Sequence, residues 1–445
     1  MNLLKSLCYN KNNLRMEISM SCYKIIGGNP TYGEINISGN KNAALPLLAA
    51  TLLTDDEVIL KNIPNIKDVE VMCNLLRNLG STIKQESNNT LSIKSGNRKG
   101  ILKKEEIALV RGSILLIGPL LAVLKKVQIP PPGGDVIGLR RIDTHFTGLG
   151  YLGCDCKISD TGDLIIECKE IQNNEIFLDE ASVTATENIL MACALSSKES
   201  LIKNAACEPH VQDLCKMLVK MGCKIEGIGS NLLSIKGAKK LRGCEYTIGC
   251  DYMEVGSLIG LAAATKGHLL LHNVQPEILN SLKLGYKKIG IEFEAKGKSD
   301  LLVPSNQNKI MYKSLNGLTN KIDDAPWPGF PADLLSIITV GATQMNGSIL
   351  LHEKMFESRM YFVDWLIRMG ADIILCDPHR AVVNGPTKLQ PAIVTSPDVR
   401  AGMALVIAAA CCEGESEIQN IYQIERGYEN LPLKLGSIGI DIKKV

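Results

Sequence analysis

The chain repeats itself, and no other feature restricts its possible folds as much. Six times it passes through an apolar helix, a turn, a β-branched strand often closed by Asn, an amphipathic second helix, and a strand after Leu-Gly, Met-Gly or Ile-Gly. Copy one uses Lys41 to Leu53, Val58 to Asn62, Val69 to Gly80 and Ile83. Copy three uses Ser182 to Leu195, Leu201 to Asn204, Val211 to Gly222 and Ile225. Copy four has Met253 to Ala264, Leu269 to Asn273, Gly290 and Phe293; copy five has Ala332 to Ala342, Ile349 to His352, Met360 to Gly370 and Ile373. Copy six has Val399 to Cys411, Ser416 to Asn420, a helix over Glu429 to Ile438, Gly439 and Ile442. Copy two is degenerate: Arg111 to Leu124, Val127 to Ile129, a Pro/Gly insert where Asn is due, then Asp143 to Gly153. Asn62, Asn204 and Asn273 lie 142 and 69 residues apart, a period of about 70. Three units on either side of about residue 250 predict two pseudo-threefold domains of about 200 residues, a size that suits one compact core each.

The first helix of each copy is apolar nearly all round, as in Ala43 to Ala50, Leu258 to Ala264 and Ala404 to Ala410. Such a helix belongs inside the fold, whereas the second helices carry Lys and Glu for a solvent face. Polar residues cluster where the buried helices begin: Lys41 and Asn42, Arg111, Ser182, Asp251, Asp333, and Asp398 with Arg400. Helix N-termini present unpaired N–H groups and partial positive charge, so they gather anions. Asp and Ser there serve equally well as N-caps. Lys41, Arg111 and Arg400 oppose the helix dipole and call for another reason. If the three buried helices of each domain point at the other domain, these entrances meet in a shared cleft.

Composition removes other classes. Forty-nine basic and 47 acidic residues leave a net charge of +2, which gives no electrostatic footprint for nucleic acid or a membrane surface. Fifteen cysteines are scattered through apolar runs without a Cys-x-x-Cys pair; they read as small core residues in a reducing cytoplasm. His268 and His272 stand four apart in a strand-like run, where a helical ligand pair cannot form, so no metal is assigned and no cofactor is expected. Residues 1–20 lack the apolar core of a secretory signal and read as an N-terminal extension. No uncharged run reaches the length of a membrane span.

Ser38 to Pro46, Arg111, Pro132 to Arg140, Ala325 to Asp333, Phe356 to Arg359, Asp398 to Arg400 and Ile424 to Tyr428 resemble, in order, the motifs of the enolpyruvyl transferases that act on UDP-N-acetylglucosamine. The Ser-rich anchors of the sister enzymes acting on shikimate phosphate are not found. The resemblance implies an α/β fold with an inside-out α/β barrel in each of two domains, built from βαβαββ-like repeats. It divides the chain into 41–249, which carries a catalytic loop, and 250–445 joined by the crossing segment 21–40. The implied partners are two small molecules, phosphoenolpyruvate and UDP-N-acetylglucosamine.

By the same resemblance, Lys41, Arg140 and Arg426 hold phosphate, Arg359 and Arg400 clamp a carboxylate, and Asn42 borders both substrates. Arg111, Arg140, Asp143, Ser182, Val183, Asp333 and Met355 hold the nucleotide sugar, with Asp333 also as base or hydroxyl anchor. Guanidinium forks suit bidentate anions. Two departures stand out. Asp135 replaces the loop cysteine that serves the family as proton donor and as the target of fosfomycin; its ordinary pKa is about 3.9 against about 8.5 for Cys. Arg141 stands where a Pro usually follows the loop arginine. The run Pro130 to Gly134 joins φ-locked prolines to permissive glycines and reads as a lid.

Overall fold

Every unit is organised around its first helix. In the computed structural model, which describes residues 21–98, 102–134, 138, 140–172 and 174–445, all of helix Tyr252–Ala264 is buried, and of helix Lys41–Ala50 only Asn42 is not. Helices Tyr252–Ala264, Leu335–Thr343 and Val399–Cys411 pack on one another, and Lys41–Ala50 and Val183–Cys193 both pack on the run Arg111–Leu124. Each buried Leu or Ile contributes about 1.5–3 kcal/mol, so these helices are held by burial on all sides. Helices such as Lys67–Asn78 and Pro209–Met221 bury one face and leave the other to solvent.

Sheets surround the helices. Five have four strands and one, in copy two, has three among the described residues. In the four-stranded sheets an edge strand runs parallel to its neighbour and the rest are antiparallel. That edge strand is supplied by the chain before the unit it joins, except in copy one, where Glu245–Thr247 pairs with Val58–Lys61. Strand Tyr23–Gly27 pairs with both Gly414–Gln419 and Asp441–Lys444, and Tyr32–Asn36 pairs with His268–His272.

The landmark asparagines have a common geometry. Asn62, Asn204, Asn273 and Asn420 all have φ between 56° and 61°, the left-handed region that Asn tolerates best after Gly. Three of their amides close the neighbouring strand: Asn62 donates to the Ile248 carbonyl at 2.9 Å, Asn204 to Leu178 at 2.9 Å, and Asn420 to Ser396 at 2.8 Å.

Two expectations need correction. Arg111 and Asp333 do not open α-helices; they lie in the 3-10 turns Arg111–Leu116 and Ala332–Leu334. The Leu334 amide bonds back three residues to Pro331 and the Ser113 amide to Val110, so both first turns are wound i to i−3; further on, the Gly118 amide is taken by the Asn188 side chain at 2.7 Å. The second helix of copy six is shorter than the expected Glu429 to Ile438: it runs over Leu431–Gly436, because Asn430 is left-handed at φ 46° and Pro432 lies in its first turn.

The hydrophobic residues form two cores, one drawn from 43–248 and the other from 23–37 with 250–442. The chain crosses between them twice, side by side. Gly39 bridges Cys250, the Asn40 amide donates to Gly249 at 2.8 Å, and the Asp251 amide donates to Ser38 at 2.9 Å. Asp251 caps Tyr252–Ala264 and also accepts the Lys41 amide at 3.4 Å, so it belongs to the crossing as well as to the helix.

Candidate active site

Where the helix entrances meet, charges are arranged in two triads. In the first, Asp333 lies between two arginines. Arg359 donates from Nη2 to one carboxylate oxygen at 2.8 Å, and Arg400 donates from Nε to the other at 3.1 Å. Both arginine side chains are nearly buried, at 5% and 6% exposure, while Asp333 keeps 27%. Burial alone would raise the Asp333 pKa, but the two guanidinium groups hold it well below the usual carboxylate range. The guanidinium of Arg359 stacks on Phe356 and that of Arg400 on Tyr428. Each arginine nevertheless keeps one buried donor without a partner, Nε of Arg359 and Nη1 of Arg400. Leaving such groups unmet costs about 1–3 kcal/mol each, more when charged, so the triad is built to receive another acceptor.

The second triad joins the two cores. Asp68, in the first turn of Lys67–Asn78, accepts Lys41 Nζ at 2.8 Å and Arg426 Nε at 2.8 Å, with Arg426 Nη2 at 3.3 Å. Lys41 and Asp68 come from the 41–249 side and Arg426 from the other. All three are buried. Burial raises the Asp68 pKa and the two cations more than reverse it. The Lys41 charge also helps to lower the Asp333 pKa, so the two triads lie within electrostatic reach of each other.

The opposite edge is less enclosed. Arg111 donates to the Arg140 carbonyl at 2.7 Å, and burial, helped by the Arg140 charge, pushes its pKa down to about 10. His145 pairs through Nε2 with Thr184 Oγ1 at 3.0 Å; burial and then Arg111 lower its pKa to about 4, so it is neutral at pH 7. Gly134, at φ +115°, lies so close to Arg111 that a Cβ would come within 2.6 Å of its side chain. Gly138, at φ +125°, comes as near to Glu357 of the other core; a Cβ there would sit 2.9 Å from its carboxylate. Asp135 lies outside the described residues, as does the extension 1–20.

The structure therefore gathers Lys41, Asp333, Arg359, Arg400 and Arg426, and separately Arg111 with Arg140. Asn42 directs its amide to the capping Asn40. Among the described residues, no side-chain hydrogen bond ties Asp143, Ser182, Val183 or Met355 to either group. Sequence reading missed Asp68, Asp324 and Glu353. Asp68 looks like any acidic residue in a first turn. Glu353 did carry a signal: Leu350-Leu351-His352-Glu353 repeats Leu270-Leu271-His272-Asn273 with Glu in the Asn position.

The comparisons agree with this geometry. The family model described as EPSP synthase (3-phosphoshikimate 1-carboxyvinyltransferase) matches residues 25–435. A UDP-N-acetylglucosamine 1-carboxyvinyltransferase of Treponema denticola is 53% identical over 422 residues, 95% of this chain and 98% of the relative. One of Borreliella burgdorferi is 52% identical over 430 residues, 96% of this chain and 99% of the relative. Among solved structures, the enolpyruvyl transferase NikO from Streptomyces tendae superposes with a TM-score of 0.84 at 19% identity, covering 96% of this chain and 99% of its own. EPSP synthase from Acinetobacter baumannii gives 0.72 at 15% identity, covering 96% and 100%. These two support the two-domain inside-out α/β fold. With its buried helices, its paired charge triads and relatives at half identity along nearly its whole length, the chain belongs to the EPSP synthase family, on the branch of the UDP-N-acetylglucosamine 1-carboxyvinyltransferases.

Proposed function

We propose that this protein transfers the enolpyruvyl group of phosphoenolpyruvate to the 3-hydroxyl of UDP-N-acetylglucosamine and releases phosphate. The observation that carries the reading is the pair of buried arginines, Arg359 and Arg400, which converge on Asp333 while each keeps an unmet donor. A carboxylate next to a second anion is the ligand such a cleft suits, with Lys41, Arg426 and Arg140 for the phosphate.

In the addition step the acceptor oxygen bonds to C2 of phosphoenolpyruvate, its proton passes to Asp333, and the acid at Asp135 protonates the methylene carbon. In the elimination step the Asp135 carboxylate takes a proton back from that carbon, the double bond reforms, the C2–O bond to phosphate breaks, and the departing phosphate receives the proton held on Asp333. Asp333 is a weak base while both arginines hold it. A substrate carboxylate that takes over the two guanidinium forks restores its basicity, so the base becomes active only with both substrates present. Asn42, Arg111, Asp143, Ser182, Val183 and Met355 are assigned to the nucleotide sugar. Units 41–249 and 21–40 with 250–445 act as two domains around the cleft.

The reaction belongs to peptidoglycan precursor synthesis in the cytoplasm, and through it to cell shape and division. Asp135 in place of Cys removes the thiolate that fosfomycin alkylates, which makes the protein resistant to covalent inactivation. Phosphate release from phosphoenolpyruvate is the test: it should require UDP-N-acetylglucosamine, and release at a similar rate without the sugar nucleotide sinks the transferase reading. The same assay with other nucleotide sugars examines the acceptor side, where the exposed Arg141 departs from the family pattern.

A further inference from the structure

Behind Arg359 lies a second pair of acids that the reaction does not use. Glu353 and Asp324 are both fully buried, at 0% exposure. They share one donor: the Met355 amide lies 3.3 Å from Asp324 Oδ2 and 3.2 Å from Glu353 Oε1. Asp324 Oδ1 also accepts the Lys354 amide at 2.5 Å, and Glu353 Oε1 accepts the Phe356 amide at 3.1 Å. The two carboxyls thus fix three successive amides of one short segment. That segment carries Met355, leads to Glu357 beside Gly138, and ends at Arg359. The second oxygen of Glu353 receives no donor and stands 3.8 Å from Arg359 Nε, which also has no partner.

Two adjacent buried carboxyls cannot both ionise without a large cost. Among the charged or titratable groups nearby, only Arg359 opposes that cost, from 3.8 Å at Nε, and burial with Asp324 outweighs it. Lys354 turns its ammonium to Asp323 at 2.7 Å, His379 bonds the Glu353 backbone carbonyl, and Arg359 gives its hydrogen bond to Asp333. One proton held between Glu353 and Asp324, whose oxygens converge on the Met355 amide, leaves the pair a single negative charge.

We propose that Glu353 is a positioning residue that works in its neutral form: its carboxyl donates a hydrogen bond to Asp324, and the joined pair sets the 354–359 segment while leaving the Arg359 guanidinium free for the substrate carboxylate. Burial, with Asp324 beside it, pushes the Glu353 pKa up to about 9, in keeping with a proton held at neutral pH. Glu353 also occupies the place that four other copies give to a left-handed Asn, so the fifth copy departs from the scaffold beside the clamp.

The proposal rests on reading Arg359 as the phosphoenolpyruvate clamp, and its test has one arm that needs no turnover. Glu353→Ala should raise the KM for phosphoenolpyruvate at pH 7 by about tenfold or more, with the KM for the sugar nucleotide within about threefold, as expected for a lost buried hydrogen bond. Glu353→Gln keeps the shape and a donor, and should restore most of that loss. In the parent the KM for phosphoenolpyruvate should climb between pH 8 and 10 as Glu353 ionises against Arg359; in Glu353→Gln that climb should be absent. Asp324→Asn should do the reverse, raising the KM already at pH 7. The turnover-free arm is thermal unfolding. A raised folded pKa makes stability fall as pH rises from the ordinary carboxylate range to about 9, and Glu353→Gln should flatten that fall. The proposal is overturned if Glu353→Gln is as impaired as Glu353→Ala at pH 7, or if the unfolding profiles of parent and Glu353→Gln run parallel. Flattened unfolding in a protein without transferase activity would instead uphold the proton on Glu353 and reject the proposed reaction.

Discussion

The two sides of the cleft are prepared differently. On the side built from 250–445, Asp333, Arg359 and Arg400 are already joined, and the arginines are nearly sealed from water. On the side built from 41–249, Arg111 reaches only a backbone carbonyl, while Asp143 is exposed and Ser182 half-buried. A small anion whose shape is fixed can be met by charges set in advance, because preorganised donors need no rearrangement at the moment of reaction. A long nucleotide sugar and a closing loop need groups that can still move. In the proposed reaction the division of labour follows the division in burial.

Asp333→Asn tests this contrast most severely. Loss of a general base lowers turnover by about 10²–10⁴, and nucleotide-sugar binding, followed by calorimetry, should stay within about tenfold. Unchanged turnover means the prepared side is an electrostatic scaffold and the base lies elsewhere.

Next come the paired variants Arg400→Ala and Arg111→Ala. Removing one partner of a buried ion pair costs about 3–5 kcal/mol, so Arg400→Ala should weaken phosphoenolpyruvate use by about 10²–10⁴ and spare the sugar nucleotide. Arg111→Ala, in the more open site, should cost about tenfold in sugar-nucleotide affinity and little elsewhere. Equal losses of both substrates in either variant abolish the distinction between the sides.

A smaller effect concerns acid. Asp68 and Asp333 have folded pKa values below the ordinary one of about 3.9, so their contribution to stability is complete above about pH 4 and disappears as pH falls towards the folded values. Asp68→Asn should flatten the loss of melting temperature below pH 4, because Lys41 and Arg426 then lack their carboxylate at every pH. A profile parallel to the parent means this triad does not couple the cores.

The smallest effect should be the same in both domains. Asn62 and Asn420 have φ of 56° and 57° and equivalent amide bonds. Replacement by Gly keeps the conformation and loses about 1 kcal/mol of hydrogen bond; replacement by Ala adds the left-handed penalty of about 1–2 kcal/mol. Denaturant unfolding should rank them alike at both positions. A much larger cost at one of them would show that the scaffolds differ as well as the sites.

Much of this was legible in the chain. Helices without a polar face placed themselves inside, and the recurring Asn marked strand ends before its left-handed backbone was seen. Lys41 and Arg426 meet at Asp68, and Arg359 and Arg400 at Asp333, while Arg140 lies apart with Arg111. Asp68 was invisible because its partners lie 27 residues before it and 358 after it, and an acidic residue in a first turn already has a local explanation. The 3-10 entrances at Arg111 and Asp333 escaped because side-chain and proline effects decide those turns over two or three residues, below what periodicity can resolve. Glu353 was readable against its sister copies, but its meaning required Asp324, which no repeat position points to.

The first strand among the described residues is among the last to be used. Tyr23–Gly27 is made early, yet both its neighbours, Gly414–Gln419 and Asp441–Lys444, follow several hundred residues later. At ~5–20 residues/s, the wait is roughly 20–80 s. Residues 41–249 find all their sheet partners among themselves during that time. Synthesis therefore delivers a finished acceptor-side domain trailing an open strand with two unpaired edges, which a chaperone or a second nascent chain can capture.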